Sequence, residues 1–417
     1  MSFLQKHHGV WFQWEKEPMA SLPIERPAGL RRVTVPLLRE HQRIASAIVD
    51  DFDTVLCGQQ LGQPASDEDL PLFATVTGVI AGLEHIQHPI YGDMPVCAID
   101  SLIDQEEESK KEQDTDFYTI PDLIRVSREA AIIDERDGMP LYRKIAQWAA
   151  QPPHYLIADA IEDEPYACSA WAVLYEQGSA VLAGLKLLAR LLGCRSFISC
   201  ALPHKRRQQL IRRLGDEKAI RPARGSLYPH EEIAPHGASF ERIGVQACLA
   251  LYRAAVYGAK QVSGVLTVAG DALAAPANVC VPFGTSLRDV LALCGVQEEP
   301  YTLILGDAIT GRVIDSPDFP ITVGITCVLA MKSVPTPRQR ACIGCGRCAE
   351  VCHKKLLPYE ITRRLENMQF ERLGALCPDD CDGCRACDYI CPANRPLCDG
   401  VLQAADEAGV VLLDWEE

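Results

Sequence analysis

"CIGCGRCAEVC", residues 342–352, places four cysteines at CxxCxxCxxxC spacing. Two tight loops turn Cys342, Cys345 and Cys348 toward one side. Gly344 and Gly346 let the backbone come close to whatever the sulfurs hold. Three converging thiolates with a fourth a few residues on suit an iron–sulfur cube. The residue after the fourth cysteine is His353. A second run, "CDGCRACDYICP", repeats the spacing with Cys381, Cys384, Cys387 and Cys391, followed by Pro392. Zinc is the alternative, but zinc sites take four ligands per ion, commonly as two CxxC-type pairs. Two triple runs, each with a distant fourth cysteine, fit that less well.

The doubled run has the crossed pattern of bacterial two-cluster ferredoxins, where the fourth cysteine of each run ligates the other cluster. That pattern assigns Cys342, Cys345, Cys348 and Cys391 to one [4Fe–4S] cluster. It assigns Cys352, Cys381, Cys384 and Cys387 to the second, with Gly383 giving close approach there. By this count His353 is not a ligand. Lys354 and Lys355 either raise the potential of the neighbouring cluster or form an exposed basic turn. Cys377 and Cys398 are left over, as structural thiols or as redox-active ones.

The chain has 417 residues, enough for two to four domains. Acids outnumber bases 56 to 41, a net charge of −15, which argues against nucleic acid as a partner. The most apolar stretch, "VLAGLKLLARLLGC", is interrupted by Lys186 and Arg190, so no membrane span is expected. The first residues, "MSFLQKHHGVWFQWEKE", lack a secretory apolar region. The expectation is a cytoplasmic protein, with peripheral membrane association left open. Of nineteen cysteines, ten lie between 342 and 398.

Upstream, the periodicity changes several times. Residues 1–100 read as short strands, "RRVTVPLL" and "LFATVTGVIAGL", with turns between them, which suggests a barrel-sandwich module of the lipoyl or biotinyl type. No lysine sits at a central hairpin tip, so carrier chemistry is not expected. "SLIDQEEESKKEQDTD", 101–116, is a solvated charge run. Residues 118–240 alternate strand and helix and predict a Rossmann-like α/β domain with a parallel sheet. Its long helix carries Leu174, Val181, Leu182, Leu185, Leu188 and Leu192 at spacings of three and four, and Gly193 ends it. "RSFISCAL" is the next strand, and "HKRRQQLIRRL" is a basic amphipathic helix. It is a solvated helix face or a second partner contact. In 241–335, "VSGVLTVAG" and "ANVCVPFG" read as paired strands. "TSLRDVLALCG" reads as a helix with a Ser286–Asp289 capping box and a stop at Gly295. Strand, strand, helix suggests a β-grasp unit. "SVPTPRQR" connects it to the cysteine-rich domain, 336–400.

In that order of domains the chain resembles the RnfC family, the peripheral NADH-side subunits of Rnf electron transport complexes. The resemblance implies a multidomain α/β plus β protein. Its expected parts are a barrel-sandwich domain, a flavoprotein-type α/β domain, an SLBB β-grasp domain and a small helical two-[4Fe–4S] ferredoxin domain. It also implies a glycine-rich loop that cradles FMN. The matching stretch is "AAIIDERDGMPLYRKI", 130–145, where Gly138, Pro140 and Lys144 fit the pattern. Asp134, Glu135, Arg136 and Asp137 stand where glycines are expected. Backbone amides of a glycine loop receive phosphate, and three carboxylates there repel it. A second flavin-side motif corresponds to "DAIEDEPY", 159–166, which keeps Glu162, Glu164, Pro165 and Tyr166 while Asp159 and Asp163 depart. Either Glu162 and Glu164 mark a residual flavin site, or these acids cap the following helix.

No catalytic acid, base or nucleophile is assigned. The expected cofactors are two [4Fe–4S] clusters, with FMN left open. The eroded loop resembles the proline reductase-associated branch of the family, which implies an anaerobic iron–sulfur electron carrier feeding a partner reductase. The alternative is an NADH-oxidising FMN and iron–sulfur subunit of an Rnf-type membrane complex. A third reading is a structural subunit whose clusters only stabilise the fold. Donor and acceptor proteins are the partners in the first two. Whether Cys57, Cys168, Cys377 or Cys398 exchanges with a partner stays open.

Overall fold

The computed structural model describes residues 10, 15–16, 19–39, 41–102, 112–162, 164–216, 218–222, 237–297, 300–335 and 338–413. Asp163, most of the N-terminal stretch and much of the charge run at 101–116 lie outside the described residues.

The first unit is two small antiparallel sheets. β1 (Arg32–Pro36), β3 (Thr54–Val55), β6 (Gly78–His88) and β7 (Gly92–Ser101) form one, in the order β1-β7-β6-β3. β2 (Ser46–Ala47), β4 (Gln60–Gln63) and β5 (Leu72–Phe73) form the other. Val33, Val35, Val55, Leu61, Ile80, Cys97 and Ile99 fill the space between them. β1 turns Val33 and Val35 inward while Arg32 stays exposed, the alternation of a half-covered strand. Gly78 permits the closest strand contact, since a Cβ there would meet the Asp100 carbonyl oxygen at 2.4 Å. The turn between β6 and β7, Pro89 to Tyr91, carries no lysine.

The second unit is α/β. α1 (Ile120–Glu129) and α2 (Leu141–Ala150) precede β8 (Tyr155–Ala160), α3 (Ser169–Leu192), β9 (Arg195–Cys200), α4 (His204–Leu214), β10 (Ile220–Pro222), β11 (Phe240–Gly244) and α5 (Val245–Tyr257). The sheet is parallel, in the order β10-β9-β8-β11. Thr119 caps α1 in a reciprocal capping box with Asp122. α3 spans the leucine repeat and ends at Gly193 in the left-handed conformation. α3 and α5 cross at Gly184, where a Cβ would sit 2.2 Å from the Cys248 carbonyl oxygen.

The expected boundary at 240/241 falls inside β11. Phe240–Gly244 pairs with β8 from Phe240↔Tyr155 to Gly244↔Asp159, and α5 packs on α3. The physical reason is in α5, where Val245, Ala247, Cys248, Leu249, Leu251, Ala254 and Ala255 are buried and need the sheet and α3 as cover. From β8 the chain steps outward to β9 and β10 and then returns to the opposite side of β8 as β11. The order of strands thus reverses between β8 and β11. Ligands of open α/β sheets settle at such a point, beyond the carboxyl ends of the strands.

The third unit is a five-stranded sheet of β12 (Ser263–Ala269), β13 (Ala277–Pro282), β14 (Thr302–Leu305), β15 (Arg312–Ile314) and β16 (Cys327–Met331), with α6 (Leu287–Leu293). Its order is β13-β12-β16-β14-β15, with β12 and β16 parallel. Ser286 caps α6, but its hydroxyl accepts from the Arg288 amide, at 3.2 Å. That is one residue short of the reach a capping box needs. Gly295 adopts φ +64 just past the helix.

The cysteine-rich end is helical among the described residues: α7 (Arg347–Val351), α8 (Pro358–Glu366), α9 (Ala386–Tyr389) and α10 (Leu397–Leu413), with three short 3-10 turns. Leu356, Ile361, Leu373, Val401, Ala404 and Ala408 form its apolar core, with α8 against α10.

Candidate functional site

The eight cysteines of the two runs line two separate cavities. Cys342, Cys345, Cys348 and Cys391 line the first, beside Tyr359 and Leu397. Cys352, Cys381, Cys384 and Cys387 line the second, beside His353 and Cys398. The two are of equal size, about 20 Å³ each. Each run turns back through left-handed residues. Gly344 lies at φ +66, Gly346 at φ +74 and Gly383 at φ +75. The Gly344 amide donates to the Cys342 sulfur at 3.4 Å, the kind of contact that steadies a thiolate. In the second run the left-handed position before α9 belongs to Arg385, φ +57. A non-glycine residue there costs about 1–2 kcal/mol. Its guanidinium pairs with Asp399 at 2.5 Å and Asp388 at 3.2 Å, which offsets part of that cost.

Cys348, Cys387, Leu397 and Cys398 pack as one apolar group that touches Cys381 and Cys391, so the same patch borders both cavities. The donor set of thiols, with a backbone amide aimed at one sulfur, fits iron–sulfur cubes. His353 lies at the second cavity with its Nε2 2.7 Å from Asp382 Oδ2. Burial is the largest influence on Asp382 and opposes its charge, but the His353 hydrogen bond and the attraction of His353 and Lys354, with the Cys384 amide, together outweigh it and lower the carboxyl's pKa.

The second candidate site lies at the switch point between β8 and β11. A cavity of about 460 Å³ opens there, lined by Glu135, Arg136, Asp159, Glu164, Arg242 and Asp307 among others. The loop 130–140 joins α1 to α2 and reaches this cavity through Glu135 and Arg136. Glu135 Oε1 accepts from the Gln246 amide at 2.7 Å, and Oε2 accepts from the Ala247 amide at 2.9 Å. Asp134 Oδ1 accepts from the Gly244 amide at 3.0 Å. These are first-turn amides of α5 and its cap. They are the donors that helix N-termini offer to phosphate. Glycine at 244 is what makes room, because a Cβ there would meet the Glu135 carboxyl carbon at 2.2 Å.

Burial first, then the charge on Asp134, pushes the Glu135 carboxyl up to about 8, against the pull of its amide donors. Lys144 bridges Asp134 at 2.6 Å and Asp137 at 2.7 Å. Arg136 and Arg242 close on Asp159 at 3.1 and 3.3 Å. Gly138, at φ +69, donates its amide to the Asp134 carbonyl at 2.9 Å and shapes the turn. Gly138 and Lys144 therefore organise the loop's own charges. An FMN phosphate does not fit on these amides, because Glu135 and Asp134 already hold them.

Glu162 and Glu164 separate into two roles. Glu162 caps α3, accepting from the Ala170 amide at 2.8 Å, the Trp171 amide at 3.2 Å and the Ser169 hydroxyl at 3.2 Å. Lys16 donates to its backbone carbonyl and lies 4.4 Å from the Trp171 ring. Glu164 instead reaches the third unit. It accepts from the Ile309 and Thr310 amides, each at 3.2 Å, and from the Thr310 hydroxyl. Asp307 returns the contact, accepting from the Tyr166 and Ala167 amides at 2.8 and 2.6 Å. Each segment thus gives a carboxylate to the other's backbone. Burial and then Asp307 push Glu164 up to about 7, and burial raises Asp307.

Sequence reading did not single out Asp307, Arg242 or the α5 amides. Their only signal was the glycine before "DAIT" and the apolar run after Gly244. The Cys168 thiol is buried against Asn278 and Thr267, and burial pushes it up to about 12. That makes it a poor nucleophile. Cys57 is half-buried, with its sulfur 3.5 Å from the Thr75 carbonyl oxygen, and Cys377 is exposed.

Residues 4–105 match the family model described as the RnfC Barrel sandwich hybrid domain. Beyond that module the chain is RnfC-like over most of its length. It is 26% identical over 392 residues to a subunit of the ion-translocating oxidoreductase complex of Pseudomonas aeruginosa, covering 85% of this chain and 49% of that protein. It is 24% identical over 376 residues to a subunit of the proton-translocating ferredoxin:NAD(+) oxidoreductase complex of Clostridium ljungdahlii, covering 84% of this chain and 82% of that one. The RnfC-like chain thus spans about half the length of some curated relatives and most of others. An NAD+-reducing [NiFe]-hydrogenase in the H2-reduced state overlaps it with a TM-score of 0.44 at 13% identity, over 69% of this chain and 61% of that one. Among the described residues no helix is long and apolar enough to cross a membrane.

Proposed function

We propose that this RnfC-like chain belongs to an ion-translocating oxidoreductase complex and relays electrons through two [4Fe–4S] clusters. Cys342, Cys345, Cys348 and Cys391 would hold one, and Cys352, Cys381, Cys384 and Cys387 the other. The observation that carries this reading is the pair of cavities, each lined by one crossed set of four cysteines. Bound there, the clusters supply one-electron chemistry. The chain's own part is to hold them beside a common apolar patch, to aim an amide at Cys342 and to fix Arg385 on Asp399 and His353 on Asp382. Its net charge of −15 suits partners with basic docking faces.

The Pseudomonas and Clostridium relatives are parts of complexes, which favours that setting over a separate carrier serving a proline reductase. The electron donor is a protein, since Glu135 and Asp134 fill the place where a flavin phosphate would bind. Purification without oxygen tests the reading. Expected are about eight irons per chain, no stoichiometric FMN, bleaching of the cluster absorbance by reduced ferredoxin, and co-purification with membrane proteins of the complex from the native host. Iron far below that level overturns the cluster reading. Stoichiometric FMN, with bleaching by NADH, overturns the assignment of the donor. Co-purification with a soluble reductase in place of membrane proteins overturns the complex.

A further inference from the structure

The second cavity holds more sulfur than a cube needs. Five cysteines line it: Cys352, Cys381, Cys384, Cys387 and Cys398. A [4Fe–4S] cluster takes four. Cys398 lies outside the repeated spacing, so pattern reading sets it aside, yet its position is not that of an incidental thiol. It sits near the start of α10, only 1% exposed, with its amide donating to Asp388 Oδ1 at 2.7 Å. Its side chain packs in one buried group with Cys387, and Cys381 lies against that group at the same cavity.

We propose that Cys398 is a reserve ligand of the second cluster, able to take over the iron of Cys381. The proposal rests on the cluster reading above. The exchange needs no oxidant or reductant. A Cys398 sulfur–iron bond forms as its S–H proton leaves, the Cys381 sulfur–iron bond breaks, and the freed Cys381 thiolate takes up a proton. The oxidation level of the cluster is unchanged. The two thiols are in contact, one on the first turn of α10 and one on the ligand loop. The exchange can therefore occur without unfolding either element.

The test uses the full chain, prepared without oxygen as wild type, Cys381→Ala, Cys398→Ala, the double variant and Cys384→Ala. Iron and sulfide are counted per chain, and the reduced protein is examined by electron paramagnetic resonance. The expected result is wild-type iron in both Cys381→Ala and Cys398→Ala, with a changed resonance in the first. The double variant should lose about half its iron, one of two four-iron sites. Cys384→Ala, whose place Cys398 does not take, should lose the same half. If Cys381→Ala alone loses as much iron as the double variant, or the double variant keeps all of it, the reserve-ligand proposal is wrong while the cluster reading stands. Wild-type protein without iron in the second site overturns both.

Discussion

Replacing Glu135 with alanine should open an anion site at the start of α5. The carboxylate now receives two backbone donors, Gln246 at 2.7 Å and Ala247 at 2.9 Å. A net hydrogen bond is worth about 1 kcal/mol, and a carboxylate at a helix N-terminus adds about 0.3–1 kcal/mol. Burial and the Asp134 repulsion raise the Glu135 pKa to about 8, so at neutral pH the carboxyl is largely protonated and the helix-terminus contribution drops out, leaving the two hydrogen bonds. The balance is a local loss of about 2 kcal/mol, roughly thirtyfold in an equilibrium constant. Hydrogen–deuterium exchange over residues 244–250 reads it directly, because the two amides lose their acceptor. Inorganic phosphate should then restore protection in Glu135→Ala and leave the wild type unchanged. At a hundred times its dissociation constant a ligand returns about 2.7 kcal/mol, enough to reverse the loss. A control at matched ionic strength with chloride separates binding from screening. If the variant's amides stay as protected as the wild type's, Glu135 is not their essential acceptor. If phosphate protects wild type and variant equally, the internal carboxylate does not block the site. Either result refutes the reasoning.

Glu164, raised to about 7 by burial and by Asp307, holds a proton more tightly in the folded chain than in the unfolded one, where the ordinary value is 4.5. Its contribution is present in full at low pH and is lost as pH rises through 7. Glu135 adds the same sign up to about 8. The denaturant midpoint should therefore fall between about pH 4.5 and 8, and Glu164→Gln should flatten part of that fall; a slope unchanged in the variant removes Glu164 as a cause. Gly184→Ala should cost about 1–3 kcal/mol or more by overpacking the α3–α5 crossing, where the new methyl would meet the Cys248 carbonyl at 2.2 Å. A melting temperature indistinguishable from that of the wild type would mean that the crossing yields.

How far the sequence could be read depends on how local each determinant is. The grouping of the cysteines was legible because Cys342, Cys345 and Cys348 lie within one short stretch, and each crossed set of four lines its own cavity. α3 was legible because its leucines recur on one face and Gly193 stops it. The end of the α/β unit was not. "FERIG" is short and mixed in polarity, and it becomes a strand only by pairing with β8, Phe240↔Tyr155. The acidic loop is the more instructive case. Read alone, "DERD" can only repel a phosphate. In the fold its carboxylates bind amides 110 to 112 residues away, so the same charges that exclude the ligand also replace it. Glu162 and Glu164, close neighbours in sequence, likewise part company, one capping α3 and the other bonding amides 145 and 146 residues on. The motif left both between a residual flavin site and a helix cap, and the cap reading holds for Glu162 alone. Charge and spacing show that a carboxylate needs donors; only the tertiary partner decides whether those donors belong to a ligand or to the chain itself. At this switch point the chain supplies both sides.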